Sequence, residues 1–510
     1  MWNGTPGGIA FFASLLVLVV CLQAMLLLAM PTIALLRAAA SILYVVAAAA
    51  SYFCNAYGAV MDKDMMRNVF ETDVAEVRAL VSGDLVISLV ILGVLPAILL
   101  WRVSLPSVGW SRRLRQRAAF FVSALLVCAG GSYACSASYA VFLREHKEIR
   151  LALIPAAPVS SIARLMGSGA HETRGPLLNP AGISVRTEVS QQRPLVVFIV
   201  VGETARAENF QLGGYARPTT PRLQAIGNLA YLGPASACGT STALSVPCMF
   251  SHEGRRNFDL QAARRQTNVL DALVQAGVAV EWRDNNSGCK GVCARVASVS
   301  YSEQTDPRLC PQSYCYDEIM LEDLAARLRA VHGDTAIVFH QIGSHGPAYA
   351  ERYPPEFERF KPACRSNELH ECTRQEIVNA YDNTIAYTDH FLARLIALLR
   401  EASGRVDGML IYASDHGESL GEQGIYLHGM PYTFAPRAQK EVPMLVWTSP
   451  QYDARVGLRT GCLAARAHGT FSHANLYHTI LGAARVRNRL YERKLDILAP
   501  CRSAESAEAG

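Results

Sequence analysis

Residues 238–251 read Cys-Gly-Thr-Ser-Thr-Ala-Leu-Ser-Val-Pro-Cys-Met-Phe-Ser. Two cysteines ten positions apart close a small loop, which carries the hydroxyls of Thr240, Ser241, Thr242 and Ser245. A disulfide would stiffen that loop, and its small residues leave room for a substrate. A hydroxyl is a weak nucleophile at neutral pH and needs a metal or a base beside it. Glu203, Asp415 and His416 offer oxygen and nitrogen donors of the kind that suit Zn2+. Singly these are weak signals. A Glu after a strand is commonly a helix cap, an Asp-His pair a hydrogen-bonded turn, and His345 before Gly an ordinary loop residue. Their joint placement after successive strands points to one site.

The elements that must position them are legible. Apolar runs at 195–201, 278–282, 335–340, 409–413 and 442–447 read as strands, and 318–331 and 374–400 as helices. Continuous apolar strands alternating with helices predict a mostly parallel sheet covered on both faces. Such sheets place their sites beyond the carboxyl ends of the strands. Glu203, the 284–290 cluster, His345 and Asp415-His416 each follow a strand and would meet at one edge.

With 510 residues the chain exceeds a single domain. Four runs lack Asp, Glu, Lys and Arg: 8–30, 38–61, 85–101 and 118–143. A helix needs about 20 apolar residues to cross a bilayer, so four transmembrane helices are predicted. Arg102, Arg112, Arg113, Arg115 and Arg117 place the loop between the third and fourth on the cytoplasmic side, and residue 145 onward on the other. The N-terminus then lies outside. The first segment lacks the basic region and cleavage site of a signal peptide. The stretch 62–84 is rich in carboxylates (Asp62, Asp64, Glu71, Asp73, Glu76) and is either a solvated loop or a rim over which a lipid headgroup reaches the site. Residues 146–190 read as a bridge, part of it at the membrane surface, ending in a Gly/Pro/Asn-rich linker at 167–182.

Four of the fourteen cysteines lie in or beside apolar runs. Eight of the other ten form the close pairs Cys238/Cys248, Cys289/Cys293, Cys310/Cys315 and Cys364/Cys372, leaving Cys462 and Cys501. Such spacing predicts disulfides in an oxidising compartment, and it does not repeat as a zinc finger would. A net charge of +5 with no basic stretch interleaved with aromatics argues against nucleic acid.

Seven motifs carry a resemblance. They are Gly202-Glu203-Thr204-Ala205-Arg206, the 238–251 loop, Asn285-Asn286-Ser287-Gly288-Cys289-Lys290-Gly291, Gly343-Ser344-His345-Gly346-Pro347, Ser414-Asp415-His416-Gly417-Glu418-Ser419-Leu420-Gly421-Glu422, His428-Gly429-Met430-Pro431 and Ser472-His473-Ala474-Asn475-Leu476. In this order they resemble the phosphoethanolamine transferases that modify lipid A, a family that includes the colistin-resistance enzymes. The match also takes in 57–76.

The resemblance implies an α-helical transmembrane bundle (1–145), a bridging helix and linker (146–190) and an α/β alkaline-phosphatase-like domain with a mostly parallel sheet (191–510). It implies a multi-pass bacterial inner-membrane protein with its catalytic domain in the periplasm, expected to be a monomer. Thr242 would be the nucleophile that becomes phosphorylated. Glu203, Asp415 and His416, with the Thr242 oxygen, would hold Zn2+. His345 and His428 would bind the donor phosphate or a second zinc and assist leaving-group protonation. Asn286, Ser287 and Lys290 would line the substrate pocket, with Thr240 and Glu418 as weaker candidates there. The donor would be phosphatidylethanolamine and the acceptor lipid A. Family members have five membrane helices where this chain shows four, so the first is absent or lies upstream. They also carry Asp where this chain has Ala474. Competing readings are another transferase, sulfatase or phosphodiesterase of the same superfamily, or an envelope protein that only binds headgroups.

Overall fold

The computed structural model describes residues 6–503 except 73, 105–108, 137, 140–141, 143–150, 152, 170–175, 187–192, 302–303, 312–313 and 468. The charged stretch 144–150 and the middle of the expected linker therefore lie outside the described residues. The chain forms two compact units, one of residues 1–66 and 81–167, the other of 67–80 and 168–510.

The first unit is helical. Four helices are long and apolar enough to cross a membrane: α1 (Pro6–Leu28), α2 (Ile33–Tyr57), the continuous helix Gly83–Arg102 and Trp110–Ala134. Leu16, Leu26, Ile42, Leu125 and Leu126 point outward, as a helix surface facing hydrocarbon requires. The last span starts earlier than its apolar run. Arg112, Arg113, Arg115 and Arg117 lie in its first turns, not in a loop. Arg and Gln are good helix formers, and long cationic side chains reach back to the interface, so the charges do not end the helix.

The acidic stretch after α2 is also helical, as α3 (Lys63–Glu71) and α4 (Val74–Leu80). Asp62 starts it by accepting from the Met65 N–H through Oδ1 (2.8 Å). Residues 67–80 belong to the second unit although the sequence places them between two membrane spans.

The second unit is built on a seven-stranded sheet. Its strands are β1 (Leu195–Gly202), β2 (Leu229–Tyr231), β3 (Ala279–Asp284), β4 (Ala297–Ser300), β5 (Thr335–His340), β6 (Asp407–Ser414) and β7 (Met444–Thr448). The order is β2-β7-β6-β1-β5-β3-β4. Strands β6, β1, β5, β3 and β4 are parallel, and β7 runs antiparallel to both its neighbours. The strands β2 and β4, of three and four residues, are too short to stand out in the sequence, and β4 (Ala-Ser-Val-Ser) carries no continuous apolar run. All eight residues of β1 are buried. Val197, Ile199 and Val201 enter one core, and Val196, Phe198 and Val200 the other. That two-residue alternation between two apolar layers explains a strand with no polar face. The 28-residue helix Arg374–Glu401 covers one layer, started by a capping box between Thr373 and Glu376.

The four close cysteine pairs are disulfides, and Cys462 pairs with Cys501. The last closes the longest loop, 39 residues, and so removes the most freedom from the unfolded chain. Replacing Cys462 and Cys501 together by Ser is expected to remove about 3–4 kcal/mol from this unit. Thermal unfolding of the full chain in detergent, followed by the fluorescence of the buried Trp282 and Trp447, measures it.

Candidate active site

Strand register brings the site together. Gly202 of β1 pairs with Ser414 of β6, Val201 with His340 of β5, and Asp284 of β3 also with His340. The residues that follow therefore leave the sheet side by side. Hydrogen bonds extend the ladder by one step, from Asp415 N to Gly202 O (2.9 Å), Gln341 N to Val201 O (3.0 Å) and Asn285 N to His340 O (2.9 Å).

Glu203, Asp415 and His416 are fully buried. One ligand atom from each lies within 4.8 Å of the others. His416 Nε2 is 3.3 Å from both Glu203 Oε1 and Asp415 Oδ2. Its Nδ1 meets the Gly417 carbonyl at 3.0 Å and donates to it, which turns Nε2 toward the carboxylates. Asp415 Oδ1 accepts from the His416 and Thr204 N–H groups, while Oδ2 is buried and accepts no hydrogen bond. Two adjoining carboxylates, an oriented imidazole and an orphaned carboxylate oxygen fit a divalent cation.

The electrostatics agree. Burial alone would lift the Glu203 carboxyl, but the hydrogen bond and charge of His416 hold it below the ordinary range. Burial and the Glu203 charge push Asp415 up. Burial opposes charge on His416, yet Asp415 and Glu203 raise it to about 10. The metal-free cluster thus keeps a proton on His416 where a cation would stand.

Thr242 opens the helix Thr242–Met249, with Ser241 as N-cap. Its hydroxyl donates to Glu203, 3.1 Å from Oε2 and 3.2 Å from Oε1, and lies 3.4 Å from His416 Nε2. The N–H groups of a first helical turn have no partner in the helix and suit an anion bound there. The loop is tied down on several sides. The Cys238–Cys248 disulfide spans it. Thr240 Oγ1 donates to Met430 O (2.6 Å), and Gly429 N donates to Thr240 O (2.7 Å). Thr240 thus fastens the 238–251 loop to the His428 loop.

His345 and His428 stand on the other side, with their rings 5.3 Å apart. Burial presses His345 down to about 3, so it is neutral. Gly343 makes its loop possible, because φ is +51° and a side-chain carbon there would lie 2.7 Å from Glu203 O. His428 Nδ1 pairs with Glu418 Oε2 (2.8 Å), and Tyr349 donates to Glu418 Oε1 (2.6 Å). Both oxygens of Glu418 are occupied, so it backs His428 and does not form a pocket wall. Asn286 also sits one layer back. Its amide donates to Glu203 Oε2 (2.7 Å) and Gln341 O (2.8 Å), orienting the carboxylate.

A cleft of about 340 Å3 opens onto this cluster, lined by Thr242, Ser287, Lys290, His345 and His428. Its remaining wall holds Glu71, from the acidic stretch read as a possible rim, and Asn68 and Thr72, which motif reasoning did not single out. Their signal is faint: Asn68 and Thr72 stand four apart at the end of α3, where Thr72 Oγ1 bonds Asn68 O (2.6 Å). Two buried supports were also missed. Asp317 accepts from Ile342 N, Gly343 N and Asn285 Nδ2, fixing the His345 and Asn286 loops at once. His473 accepts from Cys238 N through Nδ1 (3.0 Å) and donates to Ser414 O through Nε2 (2.9 Å). Burial lowers it to about 4, which keeps it neutral and able to do both.

Two outcomes follow from this geometry. A cation needs the Nε2 lone pair, so loading the metal-free protein at pH 8 is expected to release about one proton from His416. The apparent affinity then rises about tenfold per pH unit and levels off above about 10. Calorimetry in buffers of different ionisation enthalpy measures the proton count. His473→Ala leaves one buried N–H and one buried C=O unpaired and is expected to cost about 2–4 kcal/mol, read as a lower unfolding midpoint.

Residues 195–486 match the sulfatase family, and residues 16–169 match the family described as phosphoethanolamine transferase EptA/EptB. The chain is 40% identical over 473 residues to the phosphoethanolamine transferase EptA of Escherichia coli strain K12, covering 91% of this chain and 86% of that protein. It superposes on the integral membrane protein lipooligosaccharide phosphoethanolamine transferase A of Neisseria meningitidis with a TM-score of 0.94, at 34% identity, covering 98% of this chain and 94% of that one. The C-terminal periplasmic domain of EptC from Escherichia coli, solved as a complex with Zn, superposes with a TM-score of 0.53 at 24% identity, covering 64% of this chain and 91% of that one. The chain therefore belongs to the phosphoethanolamine transferase family, as an inner-membrane enzyme with a sulfatase-like catalytic domain in the periplasm.

Proposed function

We propose that the protein moves phosphoethanolamine from phosphatidylethanolamine to a phosphate of lipid A, through a covalent ester on Thr242 and with Zn2+ as cofactor. The observation that carries this is the Thr242 hydroxyl, 3.1 Å from a buried carboxylate at the head of a helix and on the wall of the cleft. Supporting it are the lipooligosaccharide named for the Neisseria relative and the zinc named for the EptC complex.

Glu203, Asp415 and His416 would hold the ion, with the Thr242 oxygen facing it. When bound, Zn2+ supplies positive charge that favours the deprotonated hydroxyl and offsets charge on the phosphoryl oxygens. The chain's own groups do the positioning, which is most of what phosphoryl transfer needs. The Thr242 hydroxyl, oriented by its hydrogen bonds to Glu203, loses its proton to the solvent of the open cleft. Its oxygen attacks phosphorus, the N–H groups of the first helical turn receive the phosphoryl oxygens, and the bond to diacylglycerol breaks. His428, oriented by Glu418, gives the leaving oxygen its proton, while neutral His345 with Ser287 and Lys290 holds the phosphate. An oxygen of a lipid A phosphate then attacks the ester and frees Thr242. Each transfer removes negative charge from the envelope and so weakens attraction of cationic polymyxins. We also propose that residues 1–145 anchor, 146–190 bridge and 191–510 catalyse, in a monomer.

Thr242→Ala is expected to abolish both the phosphoethanolamine-sized mass increase on the peptide bearing residue 242 and the matching increase on lipid A. A variant that still modifies lipid A refutes the nucleophile. Release of free phosphoethanolamine with lipid A unchanged would make the protein a hydrolase. Stripping the metal with a chelator should stop turnover, and Zn2+ should restore it.

A further inference from the structure

Beside the Thr242 cleft lies a second groove, of about 420 Å3, that this mechanism leaves unused. It is walled by Arg264, Lys290 and Arg295, with Ser251, Thr267 and Asn268 between them. Lys290 belongs to both spaces. We infer that this groove binds the acceptor's phosphate monoester and presents it to the phosphorus on Thr242. The inference rests on the function proposed above and assigns its second substrate a place.

The charge balance favours an anion. Arg295 is gripped by Asp271 through Nε (2.7 Å) and Nη2 (2.6 Å), and Nη2 also reaches Gln266 O (3.3 Å). That bidentate pair fixes the guanidinium plane of a side chain that lines the groove, and Nη1 makes no hydrogen bond among the described residues. Arg264 pairs with Glu71 at 2.7 Å. Lys290 has no carboxylate partner among the described residues. One of its three N–H bonds goes to Ser287 O (2.9 Å), which leaves two. Three cations against two carboxylates leave one positive charge, and planar guanidiniums suit phosphate oxygens. Lys290 is held at φ +50°, which a side chain other than glycine adopts only when its surroundings impose it. The Cys289–Cys293 disulfide brackets it. The cation shared by the two spaces is thus built into place.

The chemistry needs such a neighbour. Once diacylglycerol has left, the phosphoethanolamine on Thr242 still occupies the first cleft, and an anion seat that shares Lys290 with that cleft brings the acceptor's phosphate beside the same phosphorus. From that seat an acceptor oxygen attacks and a P–O–P bond forms. The Oγ–P bond breaks with its electron pair on Oγ, and the proton lost by the acceptor ends on Oγ.

Arg295 touches neither the metal cluster nor the Thr242 cleft, so it separates the two half-reactions. The test uses the full chain in detergent, with phosphatidylethanolamine and lipid A. For Arg295→Glu we expect the burst of diacylglycerol and the Thr242 adduct to persist, while the KM for lipid A rises about tenfold, the loss of one charge-assisted contact. Arg295→Lys, which keeps the charge but loses the bidentate grip on Asp271, should rise less than Arg295→Glu, and the neutral Arg295→Gln, which can still bond Asp271, should fall between Arg295→Lys and Arg295→Glu. An unchanged KM for lipid A in Arg295→Glu overturns the inference. So does an equal loss of both half-reactions in Arg295→Glu and Arg295→Gln. If only the inhibition constant of inorganic phosphate shifts, the groove holds free phosphate and the inference also falls. A parent protein that forms no adduct overturns the function proposed above and takes this inference with it.

Discussion

Two carboxylates forced side by side in a dry interior organise this enzyme. Glu203 and Asp415 follow strands that are paired in register, so the fold cannot form without bringing them together. Each buried, uncompensated charge costs on the order of several kcal/mol. The chain answers with one imidazole, whose tautomer is set by a neighbouring carbonyl and whose proton the carboxylates hold far more tightly than usual. That balance suits a divalent cation, whose charge would offset the two carboxylates as the His416 proton does.

The surroundings keep this arrangement from relaxing. Asn286 claims one Glu203 oxygen, and Asp415 Oδ1 is committed to two backbone N–H groups. One oxygen on each carboxylate is thereby fixed by protein, and the His416 ring between them is aimed by its own hydrogen bond. Asp317 and His473 act one step further out, each joining two chain segments that are distant in sequence. The loop that carries Thr242 is thus held by a disulfide, by His473 and by Thr240. Electrostatic help in phosphoryl transfer depends on groups that need not move when charge develops, and such cross-bracing supplies it.

Sequence alone went furthest where the physics is local. The strand β1, buried on both faces, announces itself as an unbroken apolar run, and the motif after it follows from topology. The meeting of Glu203, Asp415 and His416 was legible for the same reason, since parallel strands end at one edge. The limits were also physical. Asn286 and Glu418 carry the residue types of pocket walls, but hydrogen bonds to Glu203 and to His428 and Tyr349 draw them one layer inward. Spacing does not reveal which side of a loop faces solvent. The basic residues at 112–117 signalled a membrane boundary, yet helix propensity carries the helix through them. Nor does a periodic pattern mark Asn68 and Thr72, whose meaning comes from a contact far away in sequence.

That last contact bears on how chemistry and lipid handling are divided. Residues 67–80 are bounded on both sides by membrane spans, yet they pack as part of the catalytic unit and supply one wall of the Thr242 cleft. The metal cluster, the nucleophile loop and the basic groove all come from residues beyond 200. A chain begun after the last membrane helix would therefore keep all of these groups. It would lose Asn68, Glu71 and Thr72, and with Glu71 the ion pair that holds Arg264. Attachment to the membrane is thus more than a tether. The segment between two spans completes the Thr242 cleft, so one stretch of chain joins two membrane spans and walls the candidate site.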